Sequence, residues 1–314
     1  MTAPISAQIS SAAPRFGGVL PFVLGNLLLG TIGLFVHQAA ADPWTATWFR
    51  CAFGLIGLTL WLVARRQTHS LRLTHAHGPW VLLAGVLMVA GWGLFFAAIE
   101  RTSAGVAVVL FHLQPLWVLL LGAWWLHEAI GRRRLIAVGV AMLGLVLATG
   151  VLEPANSARP AGYWLGIVFC LLGSLCTAGV TLIARRLRSV PAGVLAWWQC
   201  ALGAATLWVW PVLTGWPAWG ISWLWLASLG LLHTGLAYTL LYAGMAHLRT
   251  ERIAILQFLY PALALLLDAW VFDHRLGALQ LAGIVVMTVA IGWAERPRST
   301  PLSQGLGTWR RSKW

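Results

Sequence analysis

Very few side chains that could exchange a proton or bind an ion fall inside the long apolar segments of this 314-residue sequence. Asp268 is the acidic residue that lies clearly inside one of them, on the same helical face as Gln257 and Pro261. A carboxyl group in an apolar environment is costly unless it is paired. Asp268 could therefore exchange a proton with water or bind an amine, although an Asp that merely reaches the end of its segment would fit the same spacing.

Basic and neutral polar candidates lie in two other apolar segments. Arg50 lies about two turns inside its segment, where it could bind a carboxylate, extend outward to the surface, or hold helix ends together. His112 and Gln114 flank a helix position next to Pro115 and, at about 100° per residue, should project roughly 200° apart. At most one of them is then expected to face a common cavity. His112 could bind a solute, titrate near neutral pH, or form a hydrogen bond between helices.

Aromatic side chains recur at four-residue spacing in two segments, with Trp92 and Phe96 in one and Tyr238 and Tyr242 in the other. If these stripes face inward, they form a wall suited to aromatic or amphiphilic solutes or to cations. If they face outward, they are ordinary lipid-facing aromatics. The phenolic hydroxyls favour the inward orientation for Tyr238 and Tyr242, because a buried hydroxyl needs a partner.

Two further polar residues and the cysteines complete the inventory. Asn26 is the member of a small-residue stripe that we expect to contact a substrate, whereas the rest of that stripe suits close helix packing. Glu128 is followed by three arginines, which predicts a loop ion pair, with a gating role as the alternative. The four cysteines form no CxxC pair and all lie in apolar segments. We therefore predict no metal, no cofactor and no catalytic residues.

The composition sets the solvent that these residues meet. The chain is 60% hydrophobic and only 9% charged, whereas soluble domains carry about 25% charged residues. The 21 Trp residues fit membrane–water interfaces. The net charge of +13 lies in short loops rather than in one basic domain, which argues against nucleic acid as a partner.

The apolar segments are long enough to be transmembrane helices, and helices satisfy their own backbone hydrogen bonds in lipid. The sequence therefore predicts an all-α, polytopic membrane protein between two polar tails, 1–17 and 295–314, that we expect to be disordered. Ten spans, numbered 1 to 10 below, are predicted at 18–37, 44–64, 79–99, 104–125, 133–151, 162–184, 191–213, 221–246, 252–272 and 277–294. Most Arg and Lys residues fall in both tails and in the loops after spans 2, 4, 6 and 8. The positive-inside rule then predicts cytoplasmic termini.

An internal repeat relates the two halves, 18–151 and 162–294. A shift of 146 residues aligns Trp92–Gly131 with Tyr238–Gly277 without a gap. This register matches Pro115 with Pro261. Because each half has five spans, an odd number, the second half must enter the membrane from the other side. Two inverted five-helix repeats are thus predicted, and the matched prolines could act as hinges or simply be tolerated kinks.

These features resemble the EamA family of the drug/metabolite transporter superfamily. The resemblance rests on the two five-span halves, on Pro115, Glu128 and Gly131, on their second-half counterparts Pro261 and Gly277, and on the Trp48-Phe49-Arg50 run. The second half departs from the family pattern, because His274, with Asp273 beside it, stands where a second Glu is expected.

The resemblance implies a secondary transporter that exports small organic metabolites, including amino acids and aromatic ones, by alternating access. Organic-cation uptake or drug efflux is one alternative, and a membrane-embedded transferase is an alternative of another class. The expected location is a bacterial inner membrane. A small-molecule substrate and the bilayer are the expected partners, and a homo-oligomer is left open.

Overall fold

The computed structural model of the chain describes residues 17–102, 104–148, 161–271 and 277–296. Within these ranges the chain is helical, with short connections and no β-strand. The two predicted tails lie almost entirely outside the described residues, as do His274 and Asp273. Within the described part, nine helical segments are long and apolar enough to cross a membrane. Span 5 is the helix Arg132–Ala148, which ends where the description stops.

The helices occupy the predicted spans, and several spans consist of two or three pieces. In chain order they are Val19–Gly30 and Ile32–Ala39 in span 1; Pro43–Ala64 in span 2; Gly78–Arg101 in span 3; Ala104–Phe111 and Gln114–Trp125 in span 4; Arg132–Ala148 in span 5; Tyr163–Arg186 in span 6; Ala192–Leu207 and Val209–Thr214 in span 7; Ile221–Ser228, the π-helix Leu229–Leu236 and Ala237–Met245 in span 8; Thr250–Leu256 and Leu259–Val271 in span 9; and Ala278–Glu295 in span 10. The prediction of an all-helical, polytopic membrane protein is confirmed, with ten as an approximate count.

Spans 4 and 9 are interrupted at corresponding places. Span 4 breaks between Phe111 and Gln114, and its second helix begins with Pro115 in the first turn. Span 9 breaks after Leu256, and its second helix begins at Leu259, two residues before Pro261. Proline lacks the N–H that would continue a helix, but it fits well in a first turn, where that N–H has no partner within the helix.

The packing of the helices repeats between the two halves. Span 3 packs against span 6 as span 8 packs against span 1, and span 4 packs against span 6 as span 9 packs against span 1. Spans 2 and 7 contact each other, as do spans 4 and 9 and spans 5 and 10. Each contact therefore maps onto its counterpart when the halves are exchanged, which is the arrangement that an inverted repeat requires.

The bundle has two ends. We call the end formed by the loops after spans 2, 4, 6 and 8 the Arg-rich face, and the end formed by the loops after spans 1, 3 and 7 the opposite face. Span 1 is interrupted at Thr31, whose hydroxyl lies 2.8 Å from His233 Nε2 in the π-helix of span 8. This polar contact pairs the buried His233 ring and joins the irregular turns of two helices.

Candidate functional site

A cavity of about 540 Å³ lies between the two halves of the bundle. Its walls come from spans 1, 2, 3, 4, 6, 8 and 9, so both repeats contribute to it. Its polar lining residues are Asn26, Asp42, Thr47, Arg50, Glu100, His112, Gln114, Thr177, Thr181, Gln257 and three tyrosines, Tyr238, Tyr242 and Tyr260. The volume suits a small organic molecule.

Both predicted aromatic stripes line the cavity. Trp92 and Phe96 of span 3 face it from one half, and Tyr238 and Tyr242 of span 8 face it from the other. The Tyr242 hydroxyl donates to Gln199 Oε1 at 2.5 Å, and the rings of Tyr238 and Tyr242 lie 5.8 Å apart. The inward orientation therefore satisfies a buried phenol while it presents ring surface to the cavity.

His112 and Gln114 both line the cavity, so the prediction that at most one of them faces it was wrong. The 100° spacing holds only within a continuous helix, and span 4 is interrupted between the two residues. His112 Nδ1 lies 2.7 Å from the Val108 carbonyl oxygen. Gln114 Nε2 donates to Thr181 Oγ1 of span 6 at 3.1 Å. The break thus turns two polar side chains toward one space.

Arg50 enters the cavity wall from span 2 and is only 8% exposed. Its Nε donates to Thr234 Oγ1 in the π-helix of span 8 at 3.2 Å. The centre of its guanidinium lies 5.4 Å from the centroid of the Trp92 ring, a cation–π distance. Arg50 therefore does not extend outward to the surface, which is one of the roles that the sequence left open for it.

The remaining predicted residues divide into those at the cavity and those away from it. Asn26 is buried at the cavity and donates from Nδ2 to the Phe22 carbonyl at 2.8 Å. Gln257 also lines it, and the Oε1 atom of this residue is buried without a hydrogen-bond partner. Pro115 also lines it, whereas Pro261 is buried in span 9 away from it. The side chain of Asp268 lies outside the described residues.

The cavity reaches the opposite face of the bundle. Asp42, at the start of span 2, and Glu100, at the end of span 3, line its mouth, and the Glu100 side chain is 66% exposed. Asp42 also caps span 2, because its carboxylate accepts from the Trp44 and Thr45 backbone N–H groups at 3.4 and 3.5 Å. A solute could therefore enter or leave at this face.

The Arg-rich face is closed by polar contacts between the two halves. Glu128, just after span 4, accepts from Arg185 at the end of span 6 at 2.7 Å. Its second oxygen accepts from the Thr250 backbone N–H at 2.9 Å and from the Thr250 hydroxyl at 2.8 Å. Glu128 was expected to pair with the arginines that follow it in sequence, but its partners lie in the other half.

A second acidic residue, which belongs to the second half, contacts residues of the first half in the same region. Glu251, in the first turn of span 9, is 5% exposed and accepts from the Gly131 backbone N–H at 2.7 Å, just before span 5. It also accepts from Arg134. Between these contacts, Gly122 approaches so closely that a Cβ on it would lie 2.9 Å from Thr250 side-chain atoms. Two carboxylates thus join the halves where spans 4 and 9 meet.

Sequence reasoning missed some lining residues. Tyr260 stacks on His112, with ring centroids 5.4 Å apart, and Trp44 lines the cavity near its mouth. Tyr260 belongs to no four-residue aromatic stripe, and its matched position in the first half is Gln114. The register of the repeat could have identified it, because Gln114 was already a candidate for the central space and the two halves of an inverted repeat are built alike.

Comparisons with known proteins agree with this architecture. The EamA-like transporter family profile matches residues 16–150 and again 164–294. An uncharacterized transporter of Bacillus subtilis, YxxF, is 26% identical over 88% of this chain and 89% of its own. The pseudopaline exporter CntI of Pseudomonas aeruginosa is 28% identical over 55% of this chain and 58% of its own. A protein of known crystal structure superposes with a TM-score of 0.79 over 90% of this chain and 97% of its own, at 20% identity, and so has the same fold.

The same family profile matches each half of this helical bundle, and the two halves surround one central cavity. The chain therefore belongs to the EamA-like transporter family.

Proposed function

We propose that this membrane transporter exports small organic metabolites from the bacterial cytoplasm by alternating access, and that amino acids, aromatic ones included, are among them. The observation that carries the proposal is the cavity between the halves, which reaches one face and is closed at the other by ion pairs between the halves. Exchanging the conformations of two similar halves would close the first face and open the second.

The proposed orientation places the Arg-rich face and both termini in the cytoplasm, because short cytoplasmic loops carry an excess of Arg and Lys. Export is supported by the similarity to a protein named as a pseudopaline exporter. In this orientation the structure corresponds to an outward-open state, the state from which an exporter releases its solute. Asn26, Trp92, His112, Gln114, Tyr238, Tyr242 and Gln257 are the proposed contacts with the solute.

The two alternatives have less support. Uptake of organic cations would need a carboxylate beside the aromatic wall. Asp42 and Glu100 lie at the mouth of the cavity, whereas the charged side chain next to Trp92 is Arg50, a cation that would repel such a solute. A membrane-embedded transferase would need a cluster of acidic, His or Cys side chains. Within the described residues, no group of three or more of these could hold a metal ion. We therefore propose transport rather than catalysis.

The test of transport uses Gly33, which lines the cavity at a position where a Cβ would meet no atom within 4 Å. Gly33→Phe should fill the cavity without disturbing helix packing. We expect saturable counterflow of labelled phenylalanine and tryptophan into proteoliposomes to fall at least about tenfold, since a barrier raised by ~1.4 kcal/mol suffices for that.

The matched control is Gly292→Phe, at an exposed position of span 10 where a Cβ would also meet nothing within 4 Å and which does not line the cavity. It should transport like the unchanged protein. If counterflow is unchanged in Gly33→Phe, solutes do not use this cavity. If neither the unchanged protein nor a variant shows counterflow of any amino acid, the proposed substrate class is wrong.

Proton coupling is a separate part of the proposal and rests on the position of Asp268 in span 9. A carboxyl group at membrane depth in a transporter is a common proton carrier. Asp268→Asn should abolish the dependence of net flux on a pH gradient, yet retain counterflow at equal pH, because exchange needs no net proton movement. A variant that still responds fully to the gradient would mean that this residue does not couple transport to protons.

A further inference from the structure

We propose that Arg50 binds the carboxylate of the transported solute, so that the substrate class is small carboxylates with an aromatic or apolar body, amino acids among them. This inference rests on the proposed transport function and specifies its site. It assigns to Arg50 a role in binding rather than the structural role that the resemblance to the EamA family favours.

The guanidinium group is held in place from one side. Its Nε donates to Thr234 Oγ1 at 3.2 Å, and Arg50 as a whole lines the cavity. Because a guanidinium is a planar fork of donors, fixing Nε also fixes the direction of the two terminal nitrogens. A carboxylate matches that fork with two parallel hydrogen bonds, which are stronger than neutral ones.

Arg50 also lacks a protein counter-ion among the side chains that the structure describes. The ion pairs found within 4.0 Å there involve Arg101, Arg134, Arg185, Arg249 and Arg252, each with a glutamate. Among the described residues, Arg50 contacts the Thr234 hydroxyl and the face of Trp92, and Tyr238 lines the same cavity. A cation that is 8% exposed in a membrane protein is costly without an anion. A bound carboxylate would supply that anion.

The surroundings of Arg50 specify the rest of the solute. Trp92 and Tyr238 flank the guanidinium and, with Phe95 and Phe96, offer ring faces on which an aromatic or apolar body can pack. Gln257 lines the same cavity, and its buried Oε1 has no hydrogen-bond partner, so a rotation of this amide would let it accept from an ammonium or amide N–H of the solute. An amino acid with an aromatic side chain presents all three groups.

The mouth of the cavity carries the opposite charge. Asp42 and Glu100 stand at the opposite face, whereas arginines surround the other end. The two carboxylates raise the energy of an anion at the mouth, so the place in the cavity that attracts a carboxylate is Arg50.

The experiment compares three ligands of the same size on the unchanged protein: 3-phenylpropionate, 3-phenylpropionamide and 3-phenylpropylamine. Binding is measured as the concentration-dependent rise in the melting temperature of the purified protein in detergent. We expect the carboxylate to bind about 10- to 100-fold more tightly than the amide, because charge-assisted hydrogen bonds are lost with the amide. The amine should not bind measurably.

Two variants then assign the preference to Arg50. Arg50→Gln should bring the carboxylate down to the affinity of the amide, and Arg50→Lys should give an intermediate loss, since Lys keeps the charge without the fork. Arg65→Gln, at an exposed loop position on the Arg-rich face, is the control and should change neither affinity.

Failure of the proposed binding site and failure of the proposed transport function give different results. Equal binding of carboxylate and amide by the unchanged protein overturns the inference, and this arm needs no variant to fold. An unchanged carboxylate preference in Arg50→Gln assigns the preference elsewhere and also overturns it. If the preference is present and lost in Arg50→Gln while no ligand undergoes counterflow, the proposed transport function fails and the binding site stands.

Discussion

Glu128→Ala is expected to open the Arg-rich face. The substitution leaves Arg185, whose side chain is 6% exposed, without its counter-ion and leaves the Thr250 N–H without an acceptor. Removing one partner of a buried pair costs about 3–5 kcal/mol. That cost falls on the state in which the two halves are joined here, so the population of the state open at this face should rise about 100-fold or more.

Accessibility of one cysteine measures this shift. The four native cysteines are first replaced, and Val180→Cys then places one cysteine in the cavity wall. The rate at which a membrane-impermeant maleimide labels this cysteine measures access to the cavity through the Arg-rich face. In sealed vesicles the maleimide reaches only the face to which it is added. Ser70→Cys, in a loop on the Arg-rich face, should be labelled only when that face is the accessible one. Labelling of Val180→Cys should be slow with Glu128 present and about 100-fold faster in Glu128→Ala, following the change in population.

Two further variants separate the ion pair from a general loss of charge. Arg65→Gln removes a charge from the same face and should not alter labelling, because Arg65 is exposed and lies over the Trp61 ring at the end of its own helix. The double variant Glu128→Ala, Arg185→Ala should recover part of the stability that the closed Arg-rich face loses in Glu128→Ala alone, since Arg185 no longer leaves an unpaired buried charge. Equal labelling rates with and without Glu128 would mean that other contacts close this face.

Gly144→Val should destabilise the bundle without touching the cavity. Span 5 approaches span 10 so closely at this point that a Cβ on Gly144 would lie 2.7 Å from the Gly283 carbonyl oxygen and 2.9 Å from the Met287 nitrogen. Both of these atoms belong to the backbone, so span 10 must move as a whole. Overpacking of this kind costs about 1–3 kcal/mol and occasionally more.

The matched control lies five residues earlier on the same helix. Gly139 is exposed, and a Cβ there would meet no atom within 4 Å. Gly139→Val carries the same loss of helix propensity, so the difference between the two variants isolates the packing of spans 5 and 10. Thermal unfolding in detergent should place Gly144→Val several degrees below Gly139→Val, in line with about 2–4 °C per kcal/mol for chains of 150–250 residues. Equal melting temperatures would show that the two helices separate here at no cost.

The amino-acid sequence by itself determined the class of protein and the plan of its halves. Apolar length and the scarcity of charge predict helical spans, because a bilayer admits only segments that satisfy their own backbone hydrogen bonds. The odd number of spans in each repeat requires inversion, and the matched Pro115 and Pro261 mark the two places where spans 4 and 9 break. Most of the residues that the sequence singled out also line the cavity, because polar side chains are few inside the apolar spans.

Only the tertiary structure decided which of these residues face one another. His112 and Gln114 share a cavity because the helix is interrupted between them, and helical periodicity cannot reveal a break. Glu128 pairs with Arg185, which is 57 residues away in sequence, rather than with its neighbours. Arg50 turns into the cavity because the π-helix of span 8 offers it Thr234. Such pairings depend on how the two halves pack, and the spacing of residues along one chain carries no record of that packing.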